Sequence, residues 1–323
     1  MTFAIRVHEF GGPEQLLWEE IPLRELRDGE ARVRHTAIGL NFVETGQRRG
    51  LMRIRRPFIP GNAAAGIVEE IAGDAPHARV GDRVAYAPVM GSYAEMRNIP
   101  TWRLVKLPDT ITDQDAAAIM LQGMTAQYLL RELHRVGPDD IILVQAAAGG
   151  VGLCLCQWAS SLGATVIGTV STPRKAEIAK AHGCHHTILY STENVPDRVK
   201  EITSGRMATV VYDAVGPDTI EGSFKSLRRL GRVISYGNSS GPLPPIDISA
   251  LGNMGSLSIT RGTLMTFSET REDLERCAGD LFAAMAAGHL KANIFQTFPL
   301  REASEAHRSL EGRATVGLSV LLP

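Results

Sequence analysis

Between residues 141 and 159 the chain is almost unbrokenly apolar, yet Gly149-Gly150-Val151-Gly152 stands in the middle of the run. The run is roughly the ~20 residues a bilayer span needs. Gln145 and Gln157 interrupt it, and the glycines break it in two, so a buried strand, a tight turn and a core-facing helix account for it better. A strand that turns through small residues directly into a helix is the context a dinucleotide site requires. Against the pattern G-x-G-x-x-G, the residues Ala147, Gly149 and Gly152 fill the three glycine positions, with Ala in place of the first. The second glycine lets backbone approach a pyrophosphate, the third lets the helix pack on the strand, and the helix N-terminus offers N–H groups to the phosphates. The plainer alternative is a strand-to-helix turn with small residues for packing. The strand and helix on either side favour the dinucleotide reading.

The surrounding pattern agrees. Strands are expected at 141–145, 165–170, 186–189, 209–212 and 232–236, alternating with helices at 150–162, 173–182, 194–203 and 219–230. Such alternation implies a doubly wound parallel sheet. The first 110 residues read differently, as short β-rich segments punctuated by turns such as Arg27-Asp28-Gly29-Glu30, and an acidic first turn at Asp113 opens a helix. The tail offers a helix near 273–287, strands near 295–298 and 316–321 and a helix at 301–311, and is expected to rejoin the first domain.

A length of 323 residues suggests two domains, with enough apolar sequence (44%) for cores that need no disulfides. A formal charge of -1 gives no bulk attraction to nucleic acid or anionic lipid, so neither is an expected partner. Four scattered Cys suit a reducing compartment, and the start lacks a signal-peptide layout. The expectation is a cytoplasmic protein.

An NAD-selective fold places an acidic residue ~20 positions after the glycines. Here the second strand ends in Thr169-Val170-Ser171-Thr172-Pro173-Arg174-Lys175. Hydroxyls and two cations at that place favour NADPH, whose 2'-phosphate they would meet. The alternative is that Arg174 and Lys175 only solvate a helix start, but cations there oppose the helix dipole.

Three rival motifs fall away. Gly237-Asn238-Ser239-Ser240-Gly241 matches the nucleophile elbow G-x-S-x-G, but Pro242, Pro244 and Pro245 forbid the helix an elbow must enter. His182-Gly183-Cys184-His185-His186 invites a metal reading, yet it follows a helix end with Gly183 as its cap. Cys154 and Cys156 project to different helix faces and read as core fillers.

Several segments together, Gly39 to Thr45, Ala63 to Val68, Gly81 to Val84, Ala146 to Gly152, Val211 to Gly216 and Tyr236 to Ser240, resemble the zinc-independent quinone oxidoreductases of the medium-chain dehydrogenase/reductase superfamily. The resemblance runs nearly end to end. It implies an α/β fold: a GroES-like β-barrel catalytic domain built from both chain ends (1–122 and 263–323) and a Rossmann domain with a doubly wound parallel sheet (123–262) that binds NADPH. Carried over by position, it implies Asn41, Thr125 and Tyr128 near the nicotinamide, Gly149, Gly150 and Val151 on the pyrophosphate, Ser171 and Lys175 on the 2'-phosphate, and Tyr190 beside the adenosine. Tyr236, Gly237, Asn238 and Ser239 would border the nicotinamide ribose and carboxamide, and Arg313 would reach in from the tail. Gly46 and Met52 stand where relatives carry aromatic residues, which implies a wider or differently shaped acceptor pocket.

Zinc is the superfamily's main division. Gly61-Asn62-Ala63 replaces the Gly-His-Glu motif, and the Cys at 154, 156, 184 and 277 form no quartet, so no metal is expected. None of the six Tyr is followed four residues later by Lys, which excludes a short-chain dehydrogenase. The resemblance therefore implies hydride transfer from NADPH to a quinone, without an assigned catalytic acid. The apolar, β-prone segment Gly255 to Thr260 would be an exposed sheet edge in a monomer, so a homodimer that pairs it across a two-fold axis is expected. Reduction of an enone or alkenal double bond is the alternative reaction, and a non-catalytic NADPH-binding or RNA-associated protein is the alternative of another class.

Overall fold

The computed structural model describes residues 1–312 and 315–323. They form two compact units, one of Met1–Met124, Ser268–Phe282 and Ala292–Pro323, the other of Thr125–Phe267 and Ala283–Lys291.

The first unit opens with β1 (Thr2–Arg6) and β2 (Leu17–Ile21), an antiparallel pair. Then come β3 (Glu30–Leu40), α1 (Phe42–Arg48), β4 (Ala64–Ile71), β5 (Arg83–Tyr86), β6 (Met96–Pro100), β7 (Val105–Lys106) and α2 (Asp113–Gln127). The boundary between the units falls inside α2, after Met124. β3 is the organising strand, antiparallel to both β4 and β6. Gly66 allows the close approach of β4 to β3, since a Cβ there would lie 2.2 Å from the Arg34 carbonyl oxygen. Ile5, Val33, Ile38, Val68, Tyr93 and Ile99 meet in its core.

The second unit alternates strand and helix: β8 (Ile141–Val144), α3 (Gly150–Ser161), β9 (Thr165–Val170), α4 (Pro173–Ala181), β10 (His186–Leu189), α5 (Val195–Ile202), β11 (Ala208–Asp213), α6 (Ile220–Lys225), β12 (Leu227–Ser235), α7 (Ile248–Asn253) and β13 (Ser258–Arg261). The six strands lie in the order β10-β9-β8-β11-β12-β13, with every pairing parallel. The order reverses direction at β8 and β11, the switch point at which ligands bind in such sheets. β8 and β11 are buried along their whole lengths, as strands covered on both faces must be.

The helix expected over 219–230 is shorter than its pattern. α6 ends at Lys225, and Leu227 already pairs with Ala208 in the sheet. Ile220, Phe224 and Leu227 are all buried at helical spacing, so the apolar period runs on across the change from helix to strand. Leu230 then sits at φ 62°, and its N–H is donated to the Gly255 carbonyl at 2.8 Å, an irregularity no periodicity announces.

The chain returns through α8 (Arg271–Ala286), β14 (Ile294–Pro299), α9 (Ala303–Glu311) and β15 (Leu318–Leu322). β15 inserts between β14 and β3, so residues from both ends of the chain share one seven-stranded sheet. The architecture is that of a GroES-like domain joined to a Rossmann-like parallel sheet.

Candidate active site

The glycine turn leaves the C-terminal end of β8. Ala146 adopts φ 55°, a left-handed conformation that costs a non-glycine residue roughly 1–2 kcal/mol. The turn is tied down nonetheless, with Ala147 N–H donated to the Thr169 carbonyl at 3.0 Å and Gly149 N–H to the Ala146 carbonyl at 2.9 Å. Gly152 is obligatory, because a Cβ there would lie 2.4 Å from the Ala146 oxygen. α3 starts at Gly150 behind the N-cap Gly149, which has no side chain to accept the first-turn N–H groups. The start of this twelve-residue helix thus presents uncapped donors at the switch point, a fit for a pyrophosphate.

One strand over, Ser171 follows β9 and α4 begins at Pro173. Thr172 caps α4 by accepting the Lys175 N–H on its Oγ1 at 3.3 Å. Arg174 is exposed and Lys175 half-buried in that first turn. Tyr190, 47% exposed, follows β10, and the Ser191 hydroxyl donates to the Ser171 carbonyl at 3.4 Å, which draws the two loops together. The donor set Ser171, Arg174 and Lys175, with no acid among them, suits a 2'-phosphate.

On the other side of the switch point, Tyr236 to Ser239 follow β12. Asp213, buried at the end of β11, accepts from Val215 N at 2.8 Å, Gly216 N at 3.1 Å, the Thr219 hydroxyl and the Ser223 hydroxyl at 2.7 Å. Its own carbonyl takes the Tyr236 N–H at 2.9 Å. Arg261 of β13 donates to the Ser235 hydroxyl at 3.0 Å, the Gly237 carbonyl at 3.1 Å and the Asn238 side chain at 2.7 Å, so it fixes the loop the sequence singled out. A Cβ on Gly237 would lie 2.5 Å from the Ala214 oxygen. Tyr128 is buried, its ring stacked on Phe267 at 4.6 Å between centroids, and Thr125 is buried as well. Burial, reinforced by Asp213 and Tyr128, pushes the Tyr236 phenol well above its ordinary value. Arg313 lies outside the described residues. Of the expected cofactor residues, then, Gly149, Ser171, Tyr190 and 236–239 stand on loops, and Gly150, Val151 and Lys175 in the first turns of α3 and α4, all past the C-terminal ends of strands in one sheet, while Asn41 belongs to the first unit.

Asn41 heads α1 as its N-cap, within a capping box completed by Glu44. Glu44 is fully buried and accepts five hydrogen bonds: from Asn41 N and Nδ2 (both 2.7 Å), Asn62 N (3.0 Å) and Nδ2 (3.1 Å), and the Tyr93 hydroxyl (2.7 Å). Burial pushes the Glu44 carboxyl upward, and the donated bonds from Asn41, Tyr93 and Asn62 oppose that shift by favouring the charged form. Behind Tyr93 lies His307, whose Nε2 is 3.1 Å from the Tyr93 oxygen and whose Nδ1 receives Arg48 at 3.3 Å. A guanidinium only donates, so the proton of the neutral imidazole sits on Nε2 and points at Tyr93. Burial, and then Arg48, lower His307 to about 3. Arg48 itself pairs with Glu311 at 2.7 Å. One donor path, from Arg48 Nη1 through His307 Nε2 and the Tyr93 hydroxyl, thus points toward Glu44, and Glu44 in turn fixes the Asn41 amide. Its Oδ1 accepts from Gln122 at 2.8 Å. Sequence reasoning missed Glu44, Tyr93, His307, Gln122 and Arg261. Only Glu44 carried a local signal, its Asn-x-x-Glu spacing.

The rival motifs dissolve into local structure. Ser239 lies in a loop that enters no helix before Ile248. His182 Nδ1 bonds the Ile178 carbonyl at 2.7 Å and His185 Nδ1 accepts Val166 N–H at 3.0 Å. Cys154, Cys156, Cys184 and Cys277 are buried thiols. Asn62, where a zinc-ligating His would stand, is spent on Glu44 and Gln47.

Residues 27–109 match the alcohol dehydrogenase GroES-like domain and residues 150–280 the zinc-binding dehydrogenase family. Over the full length of this chain, a 2-haloacrylate reductase of a Burkholderia species is 44% identical across 99% of its own length. The quinone oxidoreductase of Pseudomonas aeruginosa is 44% identical over all of both chains. The crystal structure of Escherichia coli quinone oxidoreductase complexed with NADPH superposes with a TM-score of 0.97 at 42% identity, covering 99% of this chain and 100% of that one. The chain belongs to the quinone oxidoreductase family of the medium-chain dehydrogenase/reductase superfamily.

Proposed function

We propose that this protein is an NADPH-dependent quinone reductase that works without a metal. The observation that carries the reading is the uncapped helix start of α3 beside a cationic, acid-free end of β9, which together suit NADPH rather than NADH. Two structural relatives are described as complexes with NADPH. The uncapped start of α3 at Gly149, Gly150 and Val151 would hold the pyrophosphate, Ser171 and Lys175 the 2'-phosphate, Tyr190 the adenosine side, and Tyr236 to Ser239, with Thr125, Tyr128 and Arg313, the nicotinamide half. NADPH supplies the hydride. Asn41, locked by Glu44 and Gln122, would orient the reacting ring, and a quinone accepts hydride directly while solvent supplies the proton. Asn62 in place of an imidazole supports the metal-free reading. The four thiols support a reducing, cytoplasmic setting.

A homodimer completes the proposal. β13 is an edge strand of the parallel sheet, and pairing it across a two-fold axis removes an exposed row of backbone donors and acceptors. The domains of this reading are residues 1–122 with 263–323 for catalysis and 123–262 for the cofactor.

The 2-haloacrylate reductase relative supports a second reaction, reduction of a polarised double bond. Steady-state oxidation of NADPH and NADH against a panel of quinones, an enone and a 2-haloacrylate separates the readings. Highest kcat/KM with a quinone and NADPH is expected. A clear preference for the enone or the haloacrylate transfers the assignment to double-bond reduction, and NADPH binding with no turnover refutes both enzymes.

A further inference from the structure

Directly after α1 the sequence reads Arg49-Gly50-Leu51-Met52-Arg53-Ile54-Arg55-Arg56, four arginines in eight residues of a chain whose total charge is -1. All four are exposed, and among the described residues none has a carboxylate within ion-pair distance. The segment packed against this loop carries Glu9 and Glu14, and Glu311 lines a cavity with Arg49 but is paired with Arg48 at 2.7 Å, so counting Glu9 and Glu14 in full still leaves a net positive patch. The loop is anchored. Leu51 N–H is donated to the Gly46 carbonyl at 3.0 Å, Gly50 packs on Phe10, and the Arg56 guanidinium lies 4.6 Å over the Phe10 ring.

The same loop supplies an apolar surface to α1. Leu51 is 71% exposed, Met52 41% and Phe42 of α1 47%. Gly46 lies between them with room to spare, since a Cβ there would meet only Leu51 Cδ1 and Met52 Cε, both at 3.9 Å. An exposed apolar patch on the helix that Asn41 caps is therefore bordered by unpaired guanidinium groups. Its complement is a flat apolar molecule carrying a negative charge.

We propose that the acceptors of this enzyme carry an anionic substituent, a carboxylate or sulfonate on the quinone ring, and that Arg49, Arg53, Arg55 and Arg56 recruit them. The inference rests on the acceptor reading above and adds the charge of the substrate to it. Exposed charges act over a Debye length of about 30 Å at 0.01 M salt and about 8 Å at 0.15 M, so recruitment falls as salt rises. Electrostatic steering of this kind changes association by roughly 10-fold to 1,000-fold.

The test compares 1,4-naphthoquinone with its 2-sulfonate in wild type and the Arg53→Glu/Arg55→Glu variant, which spares the Arg56 packing on Phe10. At low salt the variant should lose about tenfold or more in kcat/KM for the sulfonate, shrinking to less than about threefold near 0.5 M salt, with the neutral quinone within about twofold of wild type. Binding of 2-naphthalenesulfonate, which cannot be reduced, is measured in parallel by equilibrium dialysis and should weaken in the variant. Equal effects on the two quinones, or unchanged dialysis, overturn the proposal. Vesicle sedimentation distinguishes a lipid occupant: retention of wild type on phosphatidylglycerol vesicles, with the quinone ratio unchanged by the variant, would give the loop to a membrane surface instead. Failure of the neutral quinone to turn over would refute the quinone reading, and the dialysis would still decide the anion site.

Discussion

Replacing Glu44 with Gln tests whether this buried carboxyl is an acceptor-only anion. Gln keeps the shape but turns one oxygen into an N–H2 group. Placed at the Oε1 position, that group faces three donors, from Asn41 Nδ2, Asn62 N and Asn62 Nδ2. At the Oε2 position it faces two, the Asn41 N–H and the Tyr93 hydroxyl, so the second orientation is preferred. The Asn41 N–H cannot turn away. The Tyr93 hydroxyl can, but His307 Nε2 carries its own proton there, held by Arg48 on Nδ1. Two buried donors are orphaned, at about 1–3 kcal/mol each, so the variant should lose roughly 2–6 kcal/mol. Urea unfolding of both proteins at pH 7 measures it, and Tyr93→Phe, which removes one donor without creating a conflict, should cost clearly less. A loss under about 1 kcal/mol for Glu44→Gln would mean that Glu44 is carried as a neutral acid, and the directional chain from Arg48 would be wrong.

Burial holds both His35 and His307 neutral, lowering each to about 3 from 6.5. The unfolded chain takes up their protons first, so their contribution is intact above pH 6.5 and is lost as pH falls toward 3; about 2 kcal/mol per histidine should be gone by pH 5, read as a falling urea midpoint, and a flat midpoint between pH 7.5 and 5 refutes it. Lys175→Glu should weaken NADPH at least about tenfold, from a charge-assisted bond of roughly 1.5–3 kcal/mol, and leave NADH little changed or improved. Equal weakening of both cofactors would make Lys175 a solvated helix-start residue only. Gly152→Ala forces the Ala146 turn aside, so the NADPH dissociation constant should rise by more than about tenfold, and wild-type affinity would contradict the close approach. Light scattering at micromolar concentration should give twice the monomer mass of 34.9 kDa, and monomer alone would remove the β13 pairing.

The second unit was legible because its order is local. A buried apolar strand, the turn after it and the helix that follows each occupy contiguous residues, and repetition of that unit along the chain leaves few topologies. Where it failed, at 226–230, one apolar period served both a helix and the strand after it. The first unit yields less, since its defining contacts join residues far apart: Tyr93 to His307 spans 214 positions and Arg48 to Glu311 spans 263. Asn41 was reached through a family resemblance, and the Asn-x-x-Glu spacing at 41–44 was the sole local trace of the network that holds it. Arg261 left no trace at all, because a strand arginine becomes informative only once β13 is placed beside the 235–238 loop.

The candidate residues of each unit rest on the same device. Glu44 in the first unit and Asp213 in the second are buried carboxylates satisfied by neutral donors, backbone N–H, amide and hydroxyl, and neither has a lysine or arginine at ion-pair distance among the described residues. Bonds of this kind lock the amide of Asn41 and the turn at 214–219 without any exposed ion pair, so dissolved salt reaches them weakly. The basic loop at 49–56 is the opposite case, four exposed guanidinium groups with no carboxylate at ion-pair distance among the described residues. With NADPH saturating, so that screening of the Lys175 contact to its 2'-phosphate is not read, raising the salt concentration should therefore leave neutral-quinone turnover intact while it suppresses recruitment of an anionic acceptor. A loss of neutral-quinone turnover in step with the anionic one would place the salt-sensitive charges inside the site and contradict this division.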